Sequence, residues 1–365
     1  MTSRIIAARS AFPAHRYPQG EFARAVAAIA DAAGGLRPAQ RGLLDRLHAN
    51  ADVATRHTVL PIGEYAVLAK LPGPGAALAN DRYIGEATAL GERALRSALD
   101  GARIDPAMLD LLIVTSVTGV AVPSLDARLI PRLGLRPDIK RLPVFGLGCV
   151  AGAAGLARLH DYLLAWPAHT AALLAVELCS LSWPRTDVTT ADLVASALFG
   201  DGAAAVVATG HGPAAPHQAV RLPQVIATRS EVYPDSTDTL GWRLGAYGFR
   251  IVLTADLAEV VERRLNGSVT AFLGEHGLTV DDISSWICHP GGPKVLDAAQ
   301  RALKLPAQAL ATSRRSLAQA GNMSSASVLH ILELTVGDNS PAAGSFGVMI
   351  GLGPGVSAEL ILLRW

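Results

Sequence analysis

Residues Phe145-Gly-Leu-Gly-Cys149-Val-Ala-Gly-Ala-Ala-Gly155 run directly into Leu156-Ala-Arg-Leu-His-Asp-Tyr-Leu-Leu164, and a short apolar run precedes them. The leucines at 156, 159 and 163 share one helix face, so the pattern predicts a strand, a glycine-rich turn and a helix. A cysteine in such a turn lies near the positive end of the helix dipole, which lowers its pKa and favours the thiolate. The glycines let a bulky substrate approach the sulfur. The alternative is a small buried cysteine in a tight turn, and this segment alone does not decide between a nucleophile and a packing residue.

Continuous apolar runs of the same kind recur along the chain and predict buried strands. The predicted strands are Leu109–Ser116, Ala171–Val176, Ala203–Ala208, Trp286–Cys288, Gly347–Ile350 and Ala358–Leu363. Helical patterns lie between them, at Thr88–Leu99 with Gly101 as a cap, at Asp256–Gly274 with Asp256 as the N-cap, at Lys294–Leu303 and at Ser325–Thr335. Strands that are apolar throughout suit a sheet covered on both faces. The alternation therefore predicts a layered α/β fold.

One segment is the best candidate for a linker between two halves. Gly210-His-Gly-Pro-Ala-Ala-Pro-His217 is rich in glycine and proline, and it predicts an N-terminal unit of residues 1–217 and a C-terminal unit of residues 218–365. Leu71-Pro-Gly-Pro-Gly75 predicts a surface loop. Each half also carries one small-residue turn that opens a helix, at Cys149 and at Asn322.

Composition excludes several classes of protein. Of 365 residues, 50% are apolar and 17% are charged, which is typical of a globular chain and not of a disordered one. The net charge of +1 offers no broad field for nucleic acid or anionic lipid. The three cysteines have no paired spacing, which argues against a zinc ribbon or a disulfide framework. No stretch reads as a signal peptide or a membrane span, because Trp166-Pro167 interrupts the longest apolar segment. We expect a cytoplasmic protein without a metal site.

A cysteine nucleophile needs a base, and the base candidate is in Cys288-His289-Pro-Gly-Gly-Pro293. His289 ends an apolar strand, whose alternation puts Cys288 on the opposite face, as a packing residue. Gly321-Asn322-Met-Ser-Ser-Ala326 contributes an amide just before a helix. A structural histidine and a plain N-cap are the simpler interpretations of His289 and Asn322 when each is taken alone.

Taken together, five motifs resemble the type III polyketide synthases of the chalcone and stilbene synthase superfamily. They are Gly148-Cys149 with its helix, Val194-Ala-Ser-Ala-Leu-Phe199-Gly-Asp-Gly-Ala203, Cys288-His289-Pro-Gly-Gly-Pro293, Gly321-Asn322-Met-Ser-Ser-Ala326 and Gly351-Leu-Gly-Pro-Gly355. The resemblance spans nearly the whole chain. It implies a thiolase-like fold of two pseudo-equivalent layered α/β halves (αβαβα), assembled as a homodimer.

The resemblance also implies the chemistry. Cys149 would carry the acyl chain, and His289 and Asn322 would complete a catalytic triad. His289 as imidazolium would stabilise the thiolate, and with Asn322 it would hydrogen-bond the malonyl thioester carbonyl so that decarboxylation yields a stabilised enolate. The substrates would be acyl-CoA and malonyl-CoA, with no cofactor and no metal ion.

Further residues match substrate positions of the family. Phe199 and Phe249 match two gating phenylalanines between the coenzyme A tunnel and the cavity, and ordinary core packing is the simpler interpretation of Phe199. Gly353 and Pro354 belong to a loop that shapes the cyclisation pocket. The remaining cavity positions are Thr118, Cys179, Ser182, Leu240 and Ser324. The family's basic loop for coenzyme A is thin here, and Arg56 is its one candidate residue.

The cavity residues bear on the starter. Small or soft residues at Thr118 and Cys179, with Leu240 crowding an aromatic starter, predict a medium or long fatty acyl starter and an alkylpyrone or alkylresorcinol product. A tetrahydroxynaphthalene-type synthase that uses malonyl-CoA alone is an alternative, although such enzymes typically have cysteine where this chain has Val117. The same motifs are also compatible with a ketoacyl synthase III, which condenses once, and with a non-catalytic acyl-binding paralogue.

Overall fold

The fold is taken from a computed structural model, which describes residues 2–32, 34–70, 75–182, 188–211, 222–245 and 248–365. Most of the predicted linker, including the boundary at residue 217, lies outside these ranges, as do residues 71–74 of the predicted surface loop. Residue 75, also assigned to that loop, instead begins a helix.

The strands, in chain order, are β1 (Ser3–Ala11), β2 (His15–Pro18), β3 (Thr55–Thr58), β4 (Leu111–Thr115), β5 (Lys140–Val144), β6 (Thr170–Leu178), β7 (Asp201–Thr209), β8 (Gln224–Val232), β9 (Leu240–Gly245), β10 (Gly248–Leu253), β11 (Ile283–Cys288), β12 (Phe346–Gly353) and β13 (Ser357–Arg364). The helices are α1 (Gln19–Ala32), α2 (Pro38–Ala49), α3 (Ile62–Lys70), α4 (Gly75–Ala102), α5 (Leu125–Leu133), α6 (Ala151–Ala165), α7 (Thr190–Leu198), α8 (Leu257–Gly274), α9 (Pro293–Ala302), α10 (Ala311–Ala320) and α11 (Ser325–Asn339).

Nine of these strands form one sheet, in the order β11-β12-β13-β8-β1-β7-β6-β4-β5. Strand alternation divides its side chains between two faces. On β6, Leu173 packs into a core with α6 and α11, whereas Leu174 packs into a second core with α4 and α5. On β13, Ile361 faces the α6–α11 core and Leu360 faces a third core with α8 and α9. The two halves of the sheet therefore lie on either side of α6 and α11, and the other helices cover the outer faces. This arrangement has five layers, with α6 and α11 in the middle.

The central layer brings the two small-residue turns together. Helix α6 follows Cys149 and α11 follows Asn322, and the two helices pack against each other. A side chain at Gly152 would collide with the backbone carbonyl of Ser325, so only glycine permits this close approach. Packing of α6 on α11 thus brings the starts of both helices to one region.

The buried strands predicted from apolar runs are confirmed, each within a few residues of its observed bounds. The predicted helices are also present, but the cap predicted at Gly101 is wrong. Gly101 lies inside α4, and the left-handed residue that ends this helix is Arg103, with a φ of 56°. Asp256 occupies the N-cap position of α8, but it has helical backbone angles and its side chain makes no capping hydrogen bond.

Neither a membrane-spanning helix nor a metal-ion cluster occurs among the described residues. No helix there combines the length and the apolar character needed to cross a membrane. No three His, Cys, Asp or Glu side chains in the same ranges are grouped so that they could hold a metal ion.

Candidate active site

Cys149 lies in a short 3₁₀ turn, Gly148–Val150, that leads into α6. Its side chain is buried, and the turn packs against the loop between β12 and β13. A side chain at Gly148, where φ is +58°, would come within 2.7 Å of Pro354, and one at Gly353 within 2.6 Å of the Val150 nitrogen. Gly353 and Pro354 therefore lie against the turn that holds the candidate nucleophile.

The His289 and Asn322 segments meet the same region through residues 198–200. The backbone N–H of Asn322 donates to the carbonyl of Leu198 at 2.8 Å, and Gly200 N–H donates back to the Asn322 carbonyl at 3.0 Å. A side chain at Gly292 would lie 3.2 Å from Leu198. Phe199, between these contacts, shares an apolar cluster with Cys149. The structure thus gathers the three predicted catalytic segments around Phe199.

Hydrogen bonding determines how the Asn322 amide is oriented. Its Oδ1 accepts from the backbone N–H of Ser324 at 2.8 Å, so its Nδ2 is the end left to donate elsewhere. Ser324 has a φ of 49°, a strained backbone conformation for a non-glycine residue. Its buried hydroxyl lies near the Cys149 thiol and lowers that thiol's pKa, although no partner of this hydroxyl meets hydrogen-bond geometry. Ser324 is therefore close to the candidate nucleophile.

The predicted thiolate–imidazolium pair is not supported by the electrostatics of the site. Burial raises the pKa of Cys149 to about 12, and the charge of Glu177 adds to the rise. Burial lowers the pKa of His289 to about 3, and its Nδ1 has no hydrogen-bond partner. Loss of solvation therefore outweighs the helix dipole. Near pH 7 these shifts leave a neutral thiol and a neutral imidazole.

Two buried carboxyl groups, which the sequence analysis did not identify as site residues, lie close to Cys179. Glu177 accepts from Thr118 Oγ1 at 3.1 Å and from Ser325 Oγ at 2.5 Å, and burial raises its pKa to about 6 despite these bonds. Asp201 accepts from the backbone and the hydroxyl of Ser180, at 2.8 and 2.5 Å, and burial raises its pKa to about 6 as well. Both carboxyls hold in place the residues that flank Cys179.

The cavity beside Cys179 has a volume of about 20 Å³. Its lining residues are Cys179, Ser182, Asp192, Ala195, Phe199, Trp242 and Ile251. Four residues predicted for the cavity and its gate are absent from this lining, namely Thr118, Leu240, Ser324 and Phe249. Thr118 is engaged with Glu177, Leu240 pairs with Leu253 across the β9–β10 hairpin, and Phe249 packs on Phe145 with ring centroids 6.0 Å apart. Cys179, Ser182 and Phe199 do line the cavity.

The prediction that Arg56 binds coenzyme A is wrong. Its side chain is fully buried, and its guanidinium donates to the carbonyls of Ser196, Ala197 and Phe199 at 2.6, 2.6 and 2.8 Å. It also donates to Gln19 Oε1. Arg56 therefore caps the C-terminal end of α7 and holds the backbone of Phe199, and it has no access to a phosphate in solvent.

Some functional candidates could have been found in the sequence. The segment Leu240-Gly-Trp242-Arg-Leu244 alternates apolar and other residues with the period of a strand, and two glycines, Gly245 and Gly248, follow it in the sequence. This pattern predicts the β9–β10 hairpin that carries Trp242 and Ile251. Glu177 directly follows a wholly apolar run, which places a carboxyl in a buried position.

Models of two protein-family domains together match almost the whole chain, including the five motifs. The profile for the N-terminal domain of chalcone and stilbene synthases matches residues 2–213, and the profile for their C-terminal domain matches residues 224–365. The chain belongs to the chalcone and stilbene synthase family. It is a type III polyketide synthase, a transferase that acts on malonyl-CoA, and its fold is the predicted thiolase-like fold.

Individual relatives extend the comparison. A 1,3,6,8-tetrahydroxynaphthalene synthase from Streptomyces peucetius is 52% identical over 99% of this chain and 93% of that protein. An alpha-pyrone synthesis polyketide synthase-like protein from Mycobacterium tuberculosis is 31% identical over 90% of this chain and 83% of that protein. The crystal structure of the tetrahydroxynaphthalene synthase from Streptomyces coelicolor is 32% identical, with a TM-score of 0.89 and 99% of each chain covered.

Proposed function

We propose that this type III polyketide synthase condenses malonyl-CoA alone to a 1,3,6,8-tetrahydroxynaphthalene-type product. The observation that carries the proposal is the 52% identity, over 99% of the chain, to a synthase of that product. The identity to the alpha-pyrone protein is much lower, at 31%. Val117 is a departure from the residue typical of naphthalene formers, and we give the identity over the whole chain greater weight than this one position.

The fatty acyl starter predicted from the sequence has little support. The cavity beside Cys179 holds about 20 Å³, and a cavity of 10–15 Å³ already accommodates one water. Thr118, the other residue assigned to the acyl tunnel, uses its hydroxyl to donate to Glu177 and to accept from Leu178 N–H at 2.9 Å. The cavity described beside Cys179 is therefore too small for a long alkyl chain.

Cys149, His289 and Asn322 are proposed to divide the chemistry among them. Cys149 Sγ attacks the thioester carbonyl of the first malonyl-CoA, and the thiol proton passes through the neutral His289 ring to the departing coenzyme A sulfur. For each extension, His289 and the Asn322 amide donate hydrogen bonds to the thioester carbonyl of the next malonyl-CoA. Loss of carbon dioxide then leaves an enolate that these donors stabilise. The enolate carbon attacks the acyl-cysteine carbonyl, and the Cys149–acyl bond breaks to leave a Cys149 thiolate and an extended coenzyme A thioester. The thiolate attacks that thioester, which returns the chain to Cys149 and releases coenzyme A before the next extension.

The test is to incubate the purified protein with malonyl-CoA alone and with malonyl-CoA plus hexanoyl- or lauroyl-CoA, and to identify the products by liquid chromatography and mass spectrometry. The proposal predicts the naphthalene product from malonyl-CoA alone, with little change when acyl-CoA is added. Cys149→Ala serves as the control for background chemistry. Alkylpyrones or alkylresorcinols formed only when acyl-CoA is present would instead support the fatty acyl starter.

We propose a homodimer on a separate observation. Strand β5 is the last strand of the large sheet, and its outward side is unpaired among the described strands. Leu142 on this strand and Phe145 just after it are 41% and 57% exposed. Unpaired edges and exposed apolar groups are typical of surfaces that meet a partner. Light scattering after size exclusion should give twice the chain mass, and Leu142→Glu should give the single-chain mass. A single-chain mass for the unaltered protein would contradict the homodimer.

A further inference from the structure

The cavity beside Cys179 lies within the apolar cluster that contains Cys149, and two residues of the β9–β10 hairpin form part of its wall. Trp242 and Ile251 face each other across the two strands and both line the cavity, opposite Cys179 and Phe199. At about 20 Å³ the cavity has room for roughly one water, so a polyketide can grow there only if parts of the lining move apart. The distance between the hairpin and the body of the protein therefore limits the space available to the product.

The backbone does not tie this hairpin to the large sheet. Strands β9 and β10 pair only with each other among the strands described. A two-stranded hairpin is marginally stable by itself, so side-chain contacts with its surroundings determine its position. Apolar contacts come from Trp242, Ile251 and Leu253, which pack against the cluster that contains Phe199.

An ion pair connects the hairpin to α7, which also contributes residues to the cavity lining. Arg250 Nη2 lies 3.2 Å from Asp192 Oδ2. Asp192 is itself a cavity-lining residue on α7, and its side chain is only 4% exposed. The same carboxylate accepts from the backbone and the hydroxyl of Thr189, at 2.8 and 2.6 Å, which holds it in a fixed orientation at the start of the helix. Arg250 therefore attaches the hairpin to a rigid anchor.

The residue opposite Arg250 in the hairpin provides a natural comparison. Arg243 is its cross-strand partner, so the two positive charges are neighbours on one face. Arg243 is 76% exposed and its nearest acid is Asp238, at 3.9 Å, whose side chain is 94% exposed. Like charges side by side destabilise a hairpin unless each is compensated. Arg250 is compensated by a buried acid and Arg243 by an exposed one, so of these two arginines Arg250 is the one that connects the hairpin to the cavity lining.

We propose that the Arg250–Asp192 ion pair sets how far the Trp242–Ile251 wall stands from Cys179 and Phe199, and that Arg250 thereby determines polyketide length. This inference rests on the proposed polyketide synthesis in this cavity. With the pair intact, elongation stops when the product reaches the wall. Without it, the hairpin spends more time displaced outward and the chain accepts further malonyl-derived units.

The test measures the ratio of longer to normal-length polyketides by mass spectrometry, with total malonyl-CoA consumption recorded in parallel. Arg250→Met should raise this ratio about fivefold, which corresponds to about 1 kcal/mol. This is the upper end of the range for exposed ion pairs, and we choose it because Asp192 is buried. Arg250→Lys retains a charge that can reach Asp192 and should stay near the unaltered ratio. Arg243→Met is the matched control and should leave the ratio unchanged. A merely destabilised enzyme would make less product with the same length distribution.

The inference is overturned if folded, active Arg250→Met gives the unaltered ratio, or if Arg243→Met shifts it equally. Arg250→Gln, which removes the charge but keeps a hydrogen-bond donor, provides the same reading if Arg250→Met does not fold. Failure of the proposed function looks different: the unaltered protein would then make no naphthalene product from malonyl-CoA. The length ratio could still be measured on any polyketide that it does make.

Discussion

Arg56→Met is the perturbation whose consequence follows most directly from the geometry. The Arg56 guanidinium makes four hydrogen bonds, to the carbonyls of Ser196, Ala197 and Phe199 and to Gln19 Oε1. Hydrogen bonds from a charged group contribute about 1.5–3 kcal/mol each. Burial opposes them: it lowers the pKa of Arg56 to about 9, which corresponds to a cost of about 5 kcal/mol for holding the charge there.

The balance of these effects is a substantial loss of stability. Methionine relieves the cost of the buried charge, but it leaves the carbonyls of Ser196 and Phe199 at the end of α7 without the Arg56 donor. The Ala197 carbonyl still accepts from Gln19 Nε2 at 2.9 Å. It also removes the contact of the guanidinium with the Phe22 ring, whose centroid lies 4.1 Å away. Removing one member of such a buried network typically costs about 3–5 kcal/mol, and we expect Arg56→Met to fall in that range.

Urea unfolding followed by circular dichroism measures this change, and Arg16→Met is the control. Arg16 lies on the neighbouring strand β2, is exposed and donates only to Thr55 Oγ1 at 3.1–3.3 Å, so its replacement should change stability by less than about 0.5 kcal/mol. The reasoning would be refuted by an Arg56→Met protein of unaltered stability with a raised KM for malonyl-CoA. That result would restore Arg56 as a ligand of coenzyme A.

Three further predictions follow from the ionisation and hydrogen bonding of buried groups. Burial lowers the folded-state pKa of His48 to about 3, so stability present above pH 6.5 is lost as the pH falls below it. Between pH 7.5 and 5.5, His48→Gln should lose about 1.4 kcal/mol less free energy of unfolding, measured in urea, than the unaltered protein, and equal losses would contradict the assignment. Because burial raises the pKa of Cys149 to about 12, its alkylation by iodoacetamide should still accelerate above pH 9 and His289→Gln should keep that profile, whereas a plateau near pH 7 would reveal a thiolate. Asn322→Ala should slow decarboxylation of malonyl-CoA on the order of 100-fold, with Cys149 acylation retained; equal loss of both steps would indicate a misfolded site.

Local patterns predicted the parts of the fold that local forces determine. The apolar run Ala171–Val176 corresponds to β6, and the leucine spacing after Cys149 corresponds to α6. In both, the periodicity follows directly from which faces are buried. The wrong cap, at Gly101, depends on the last turn of a helix, where the neighbouring residue Arg103 takes the left-handed backbone angles instead.

The unpredicted parts of the site depend on contacts between residues far apart in the chain. Arg56 lies in a basic-looking segment, and only folding reveals that it reaches carbonyls some 140 positions away. The same holds for the ion pair of Arg250 with Asp192. The thiolate form of Cys149 was predicted from its helix start and from His289, whereas burial, which no local pattern reports, raises the pKa of this thiol.

The motifs, in contrast, located the site because each is a turn that tolerates only small residues. Gly148, Gly292 and Gly321 all have positive φ angles, and a side chain at Gly148 or Gly321 would collide with its surroundings. Such steric requirements persist in the sequence as glycine, where they can be recognised without a structure.

The central claim, that Cys149 carries the growing polyketide, is tested most directly by peptide mass spectrometry. The protein is mixed with malonyl-CoA, quenched in acid within one turnover and digested. We predict that the peptide containing Cys149 carries malonyl-derived thioester adducts of increasing length, and that the peptides of Cys179 and Cys288 remain unmodified. Adducts on Cys179 or Cys288, or product formation with Cys149 never acylated, would contradict the account.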